Sequence, residues 1–411
     1  MAERYKAPRG TADALPADAA ARARVERTAR GLLERAGYGR IETPVFEDTE
    51  LFARGVGAST DIVRKEMFTF EDQGGRSVTL RPEATASIAR AYLEHGMQKL
   101  PQPVKLWWYG PLFRHERPQA GRFRQFWQLD AEVIGAESPL ADAELILLCE
   151  ELLRALAVPE LTLRLGSLGS PEARAAYREE LVAYLREHEG DLAGDVRDRI
   201  DQNPLRAFDS KDEPTQEVMA GAPTMLDRLE GDDAEHFAAV RRLLDEAAVA
   251  YEVDATLVRG LDYYTRTVFE FHSGRLGAQS QVAGGGRYDK LIELLGGPPT
   301  PASGWAAGME RILIAIGTDA REESRHDVFV AADDDNRERA LALATELRRA
   351  GLRADLDLAG RSMKGQMRQA DRVGAAHTVI LDGEATRVRD MRSGEQREVE
   401  PARLVEELSR R

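Results

Sequence analysis

The densest group of residues able to do chemistry lies between Phe113 and Glu132. Arg114, His115, Glu116 and Arg117 lead into a turn at Gln119-Ala120-Gly121, and the return run ends Gln125-Phe126-Trp127-Gln128-Leu129-Asp130-Ala131-Glu132. Two extended runs about a glycine turn make a hairpin-like unit, and strand alternation sets Gln128, Asp130 and Glu132 on one face. Strand faces turned to a core are apolar, so this polar face reads either as the wall of a wet cleft or as a solvated outer surface. Similar choices attend the other peptides. In Leu80-Arg81-Pro82-Glu83-Ala84-Thr85, Glu83 sits just before a helix, as a binding carboxylate or an electrostatic cap. Leu257 to Glu270 carries Arg259, Gly260, Tyr263 and Tyr264, and reads as a site or as a strand bearing core aromatics. Gly284-Gly285-Gly286-Arg287-Tyr288-Asp289 precedes a helix, as phosphate-cradling loops do, although glycine runs also permit tight packing. Gly304 to Arg311 reads as helix, with small residues on a packing face and Arg311 projecting from it.

Arginines of this kind suit paired anionic oxygens, because the guanidinium is planar and stays charged. Nucleophilic thiol chemistry is not indicated. Cys149 is the single cysteine and lies within the apolar helical pattern Ala143 to Leu153, so disulfides and thiolate metal clusters are excluded. The net charge of -14 argues against a generally basic surface for nucleic acid, but a local basic face is compatible with an acidic whole. The 43% hydrophobic and 31% charged content is that of a soluble globular protein. The start, Met1-Ala2-Glu3-Arg4-Tyr5-Lys6, lacks the apolar run of a secretory signal, and no apolar stretch is long enough to cross a bilayer, so a cytoplasmic location is expected.

With 411 residues, two or three domains are expected. Ala17 to Ala36 has helical spacing, then Gly37-Tyr38-Gly39 stops it, and Arg40 to Phe46 extends through Pro44. Strand-like runs follow at Ser77 to Leu80, Val104 to Tyr109, Gln125 to Ile134 and Leu161 to Leu165; several are joined by turns, which favours an antiparallel sheet in an α+β domain. From about Ser170 to Ala250 charged amphipathic helices replace the strands, as in a helical insertion. Strand signals return at Leu257 to Val258 and Thr267 to Phe271, with a helix expected from Trp305 to Ile316. After a charged linker, Thr318 to His326, strands and helices alternate from Asp327 to Leu381 in a small α/β unit. The domains expected are therefore 1–322, with the insertion at about 170–250, and 326–411.

Taken together these peptides resemble the class II aminoacyl-tRNA synthetases, and the histidyl family in particular. Ala17 to Phe46 is similar to motif 1, Phe113 to Gly135 to motif 2, and Ala302 to Ile316 to motif 3 with Arg311 as its arginine. Leu257 to Phe271 and Gly284 to Asp289 resemble the two signature peptides of the histidyl enzymes, and the stretch Arg259 to Tyr264 is the most specific of these signals. The resemblance runs from Tyr5 nearly to Arg411. Two positions depart from it: Asp130 stands where a small or uncharged residue is expected, and Trp127 where histidine is commoner.

The resemblance implies a class II catalytic core, a C-terminal anticodon-binding domain, and a homodimer formed through motif 1. It implies ATP-dependent activation of L-histidine followed by transfer to tRNA(His). Arg114, Arg259 and Arg311 are then the catalytic cations at the phosphates of ATP, with Glu116 also on the nucleotide. Mg2+ is held mainly by phosphate and water, with Glu116 or Asp130 as candidate helpers. Glu83, Thr85 and Gln128 take the histidine ammonium beside Ala84, Glu132 and Tyr264 take the imidazole, and Tyr263 and Tyr288 shape the pocket. Arg361, Lys364, Arg368 and Arg372 fall at near-helical spacing; alone they read rather as an ordinary solvated face, and the resemblance of the whole chain reverses that preference and implies that they meet RNA phosphate. One rival belongs to another class: the synthetase-like regulatory subunit of ATP phosphoribosyltransferase, a binding module that resembles the catalytic domain. Prolyl and threonyl enzymes are further rivals, but they lack the Arg259 to Tyr264 peptide.

Overall fold

Alternation along Gln125–Ile134 organises the larger part of the molecule. Leu129, Ala131 and Val133 are buried in the main core, while Gln128, Asp130 and Glu132 leave the strand on the opposite side. The structure, a computed structural model, describes residues 5–57, 60–119, 121–257, 261–317 and 326–409. Arg259, Gly260, Val258 and the linker residues 318–325 lie outside the described residues. The chain divides into two compact units, one built on Ala21–Ala320 and the other on Arg321–Arg411.

In the first unit, the described residues form an eight-stranded sheet in the order Gly39–Arg40, Val104–Phe113, Gln125–Ile134, Ala302–Gly308, Gln281–Arg287, Thr265–Ser273, Leu161–Ser167 and Glu252–Val253. Every internal pairing is antiparallel, and only the two short edge strands pair in parallel. One face is covered by the helix Pro139–Ala155, whose Leu145, Ile146, Cys149, Leu152 and Leu153 are buried against Trp107, Leu129 and Phe269. Each such aliphatic side chain contributes about 1.5–3 kcal/mol on burial. That helix starts where Ser138 accepts from the Leu140 N–H with Pro139 at its first position. A smaller three-stranded sheet, Phe46–Asp48, Ser77–Leu80 and Phe68–Glu71, precedes the helix Thr85–Glu94.

The helical insertion is present and carries its own core, in which Tyr177, Leu181 and Leu185 of the helix Pro171–Glu187 pack with Ile200 and Met219. The expected helix from Trp305 is corrected. Ala302–Gly308 is a strand paired on both sides, and the helix begins at Met309 and ends at Ile316. Small residues suit a helix packing face and a crowded central strand alike, and the partners decide between them. The glycine run is likewise strand, Gln281–Arg287, rather than a loop before a helix.

The second unit has the parallel strands Val328–Ala332, Ala354–Leu356 and His377–Asp382 with the helices Arg337–Arg349 and Met363–Arg372, as expected. It adds two antiparallel strands, Ala385–Asp390 and Gln396–Glu398, and a closing helix, Leu404–Ser409. Val328, Val330, Ala344, Leu347, Val379, Leu381 and Leu404 form its core.

Candidate functional site

The face of the large sheet opposite Pro139–Ala155 is the floor of a cavity of about 760 Å³. Cross-strand registers build that floor. Gln128, Asp130 and Glu132 sit opposite Gly308, Ala306 and Gly304, and Gly284 sits between Ala306 and Glu270. Cross-strand partners project to the same side, so two tall rows flank a low track of glycine and alanine. The glycine run therefore keeps the floor low instead of wrapping a phosphate with its loop. Glu83, Ala84, Thr85, Arg114, Glu116, Gln128, Asp130, Glu132, Tyr263, Tyr264, Tyr288 and Arg311 all line this one cavity.

One end is acidic and phenolic. Glu132 is 1% exposed; its Oε1 accepts from Thr85 Oγ1 at 2.8 Å and its Oε2 from the Tyr288 hydroxyl at 2.5 Å, so among the described residues its phenol partner is Tyr288. Burial pushes its pKa to about 8, against the pull of those two donors. Glu83 sits at the start of Thr85–Glu94, where Oε1 accepts from the Ala86 N–H at 2.9 Å, while Oε2 is buried and has no hydrogen-bond partner among the described residues. Its pKa is raised to about 7, again by burial. Asp130 is also buried, and one of its oxygens has no partner among the described residues. Burial first, then Glu132 and Glu83, lift it well above the carboxylate range, with Arg114 and Arg81 opposing. Tyr263 stands with its ring centroid 4.9 Å from that of Tyr264 and 5.6 Å from that of Tyr288. Of these three adjoining buried carboxyl groups, Glu83 and Asp130 each keep an oxygen without a partner among the described residues, an arrangement suited to a cation that also donates hydrogen bonds.

The other end is cationic. Arg114 donates through Nε to the Pro82 carbonyl at 2.8 Å and lies over the Phe126 ring at 5.2 Å, which leaves its outer edge toward the cavity. Glu116 lies 4.0 Å from Arg114 and 3.5 Å from Arg122. Arg311 donates to the Gln281 carbonyl at 2.9 Å and the Gly121 carbonyl at 3.4 Å. These bonds fix a guanidinium in place before any ligand arrives, the condition under which a cation stabilises charge that develops during reaction. Burial, with Arg122 and Arg114 nearby, lowers the Arg311 pKa. The cleft thus pairs an anion-binding end with a cation-binding end.

Cleft residues that sequence reading passed over are Phe126, Arg122, Glu270 and Gly304. Phe126 was within reach, since it shares the alternation of Gln128; Gly304 was not, because its importance arises from a strand remote in sequence. In the second unit Lys364, Arg368 and Arg372 are exposed on the helix Met363–Arg372. Arg361 departs from the expected common face: it precedes the Ser362 cap and pairs with Asp357. Among the described residues no helix is long and apolar enough to cross a membrane.

The model of the family described as histidyl-tRNA synthetase matches residues 10–312, and that described as anticodon binding domain matches 314–411. A histidine–tRNA ligase of Rubrobacter xylanophilus is 47% identical over 409 residues, covering 96% of each chain. A crystal structure of an apo histidyl-tRNA synthetase from S. aureus superposes with a TM-score of 0.83 at 35% identity, covering 99% of this chain and 100% of that one. A Bacillus halodurans structure, described as an ATP phosphoribosyltransferase regulatory subunit/histidyl-tRNA synthetase, has a TM-score of 0.69 at 23% identity, covering 94% of this chain and 100% of that one. It shares the fold, so sequence and not shape separates the two readings. With near full-length identity of 47% and a family model spanning residues 10–312, the chain belongs to the histidyl-tRNA synthetase family.

Proposed function

We infer that this chain activates L-histidine with ATP to histidyl-adenylate and transfers the histidyl group to the 3′ end of tRNA(His), with adenylate chemistry in the cleft around Glu132. It is a class II histidine–tRNA ligase. The observation that carries the reading is the juxtaposition of three buried carboxyl groups with fixed arginines in one cavity.

Histidine carries its ammonium and its carboxylate on one carbon, with the imidazole at the far end of a short side chain. The orphan oxygens of Glu83 and Asp130, with Thr85 and Gln128, accept from its ammonium. Glu132 with Tyr264 or Tyr288 satisfies the ring nitrogens, and Tyr263 closes the pocket beside Ala84. An amino acid lacking one ring nitrogen leaves a buried acceptor unpaired, and sites of this kind discriminate by roughly ten-thousand-fold. The substrate carboxylate is already ionised, so no general base is required. Its oxygen bonds to the α-phosphorus as the bond to the pyrophosphate oxygen breaks, and pyrophosphate leaves with that electron pair. Arg114, Arg259 and Arg311 act as the catalytic cations on the phosphates, with Glu116 among the nucleotide contacts. In the second step a terminal ribose hydroxyl of tRNA bonds to the carbonyl carbon, the bond from that carbon to the phosphate oxygen breaks, and AMP leaves with that electron pair, its phosphate taking up the hydroxyl proton.

Magnesium accompanies ATP and offsets phosphate charge. Of the two candidate helpers Glu116 fits better, since Asp130 is buried beside Glu83 and Glu132 and held toward its protonated form. The domains are assigned as 1–322, including the helical insertion, and 326–411. Lys364, Arg368, Arg372 and Arg361 are assigned to tRNA phosphate. A homodimer is supported by the motif 1 resemblance and by exposed Phe46 and Phe70 on the three-stranded sheet, with exposed Val45 just before it. A cytoplasmic location fits a chain with a single cysteine and no described membrane-crossing helix.

ATP-pyrophosphate exchange measured across all amino acids tests the reading. Exchange dependent on histidine is expected; none with histidine, or equal exchange with several amino acids, overturns it.

A further inference from the structure

We propose that Arg174, on the first turns of the helical insertion, is a positioning residue for the histidine pocket: it holds the backbone that carries Tyr263 and Tyr264. The proposal rests on the reading of that cleft as the histidine site.

Arg174 lies on the helix Pro171–Glu187, outside the cleft lining. Its Nη1 donates to the Asp262 carbonyl at 3.2 Å and the Tyr264 carbonyl at 3.1 Å. These two carbonyls bracket Tyr263, so one guanidinium spans the peptide segment from which both aromatic rings enter the cavity. A half-buried arginine that donates to carbonyls gives up part of its hydration, and such an arrangement is favourable only while the acceptors are held in register.

A second set of contacts grips the same segment from its far end. The Arg266 N–H donates to the Gly169 carbonyl at 2.7 Å, and the Leu168 N–H donates to the Arg266 carbonyl at 2.7 Å. Arg266 has φ of 47°, a left-handed conformation that a non-glycine residue keeps only when its surroundings impose it. Asp233, on the helix Gly231–Glu246, accepts from Arg266 Nε at 2.9 Å and from the Ser170 N–H at 2.7 Å, and Ser170 caps the helix that bears Arg174. The first and last of the helices between Pro171 and Glu246 thus meet at the root of the tyrosine segment, and Arg174 and Asp233 tie it down on either side of Tyr264. The position of the insertion is thereby coupled to the position of the two rings, although no insertion side chain named here touches the amino acid.

The test uses the full chain and its two variants Arg174→Met and Arg174→Lys, with histidine and ATP KM read by pyrophosphate exchange and folding by circular dichroism. Displaced rings weaken histidine selectively: Arg174→Met is expected to raise the histidine KM by about tenfold or more, with the ATP KM changed by less than about twofold. Arg174→Lys keeps the charge but places its single nitrogen on a shorter side chain, and is expected to fall between Met and wild type. A folded Arg174→Met enzyme with an unchanged histidine KM, or with both KM values raised alike, overturns the proposal. Should Arg174→Met not fold, Arg174→Lys decides: a selective rise in histidine KM of several-fold sustains the positioning role, and an unchanged value overturns it. Absence of histidine-dependent exchange in the wild type overturns the function itself and this proposal with it. A normal wild type beside an indifferent Arg174→Met removes the proposal alone.

Discussion

Gly304 stands directly across the strand pair from Glu132, and a Cβ placed on it would lie 1.5 Å from Glu132 Oε2 and 2.8 Å from the Ala131 carbonyl. The carboxylate therefore occupies the volume that any other residue at 304 would fill, and its hydrogen bonds to Thr85 and Tyr288 depend on a missing side chain. Gly304→Ala is expected to displace Glu132 and raise the histidine KM by about 100-fold, with an overpacking cost of about 1–3 kcal/mol in stability. A histidine KM within a few-fold of wild type would show that Glu132 is not held by this contact.

Glu132→Gln separates binding from burial. Loss of the carboxyl acceptor at the ring is expected to weaken histidine binding by about 30-fold or more while ATP binding stays nearly constant; equal losses for both ligands would remove Glu132 from the ring. Stability should move the other way. Burial raises this carboxyl from 4.5 to about 8. Below the lower value it is protonated in folded and unfolded chains alike and contributes no pH dependence. As pH rises through the interval, the unfolded chain gives up the proton and the folded chain keeps it, so stability falls by up to about 1.4 kcal/mol per pH unit until the upper value is passed. Ligand-free Glu132→Gln is thus expected to gain thermal stability over wild type between pH 5 and pH 8. A difference in Tm that stays constant over that range refutes the burial of an ionisable group as its source.

Period-two alternation made the acidic wall readable, because Gln128, Asp130 and Glu132 share a strand whose other face is the core formed with Leu129, Ala131 and Val133. The glycine run and the Ala302–Gly308 segment were not readable as floor. Small residues have weak local preferences, and only pairing with strands remote in the sequence fixes them as extended. The Glu132 bond to Tyr288 joins residues 156 positions apart, so no spacing rule reaches it. In the second unit Gln396–Glu398 is exposed throughout and has no apolar alternation to announce a strand. Arg361 was grouped with Lys364, Arg368 and Arg372 on spacing alone, whereas the Ser362 cap starts the helix after it.

Arg311 is held by the Gln281 and Gly121 carbonyls, a geometry that needs a guanidinium. Arg311→Ala is expected to lower kcat/KM for ATP in pyrophosphate exchange by about 100-fold, and Arg311→Lys to recover little of it, since an ammonium cannot hold both carbonyls and still face phosphate. Full recovery by lysine would reduce the role of Arg311 to simple charge.

Arg259 lies outside the described residues, and its role rests on the signature peptide alone. Arg259→His replaces a fixed cation by a short, mostly neutral ring, and is expected to abolish nearly all histidine-dependent exchange while leaving the circular dichroism spectrum unchanged. An unchanged rate in the folded variant removes Arg259 from the mechanism.

The second unit has a core of its own, from Val328 through Leu404, so its removal need not unfold the cleft. Deletion from Asp327 onward is expected to leave pyrophosphate exchange within about threefold of the full chain, while tRNA charging falls by about 100-fold as the binding energy of this unit disappears. A finer variant distinguishes specific phosphate pairing from bulk. Lys364, Arg368 and Arg372 recur every fourth residue, each step turning only about 40° around the helix, so their exposed heads form one continuous stripe. Neutralising all three should weaken tRNA binding and flatten its dependence on log salt by up to about two to three units, because a phosphate with no protein cation beside it keeps its counterion. Weakened binding with an unaltered salt slope would place the phosphate contacts elsewhere, and normal charging by the truncated chain would make the whole unit dispensable.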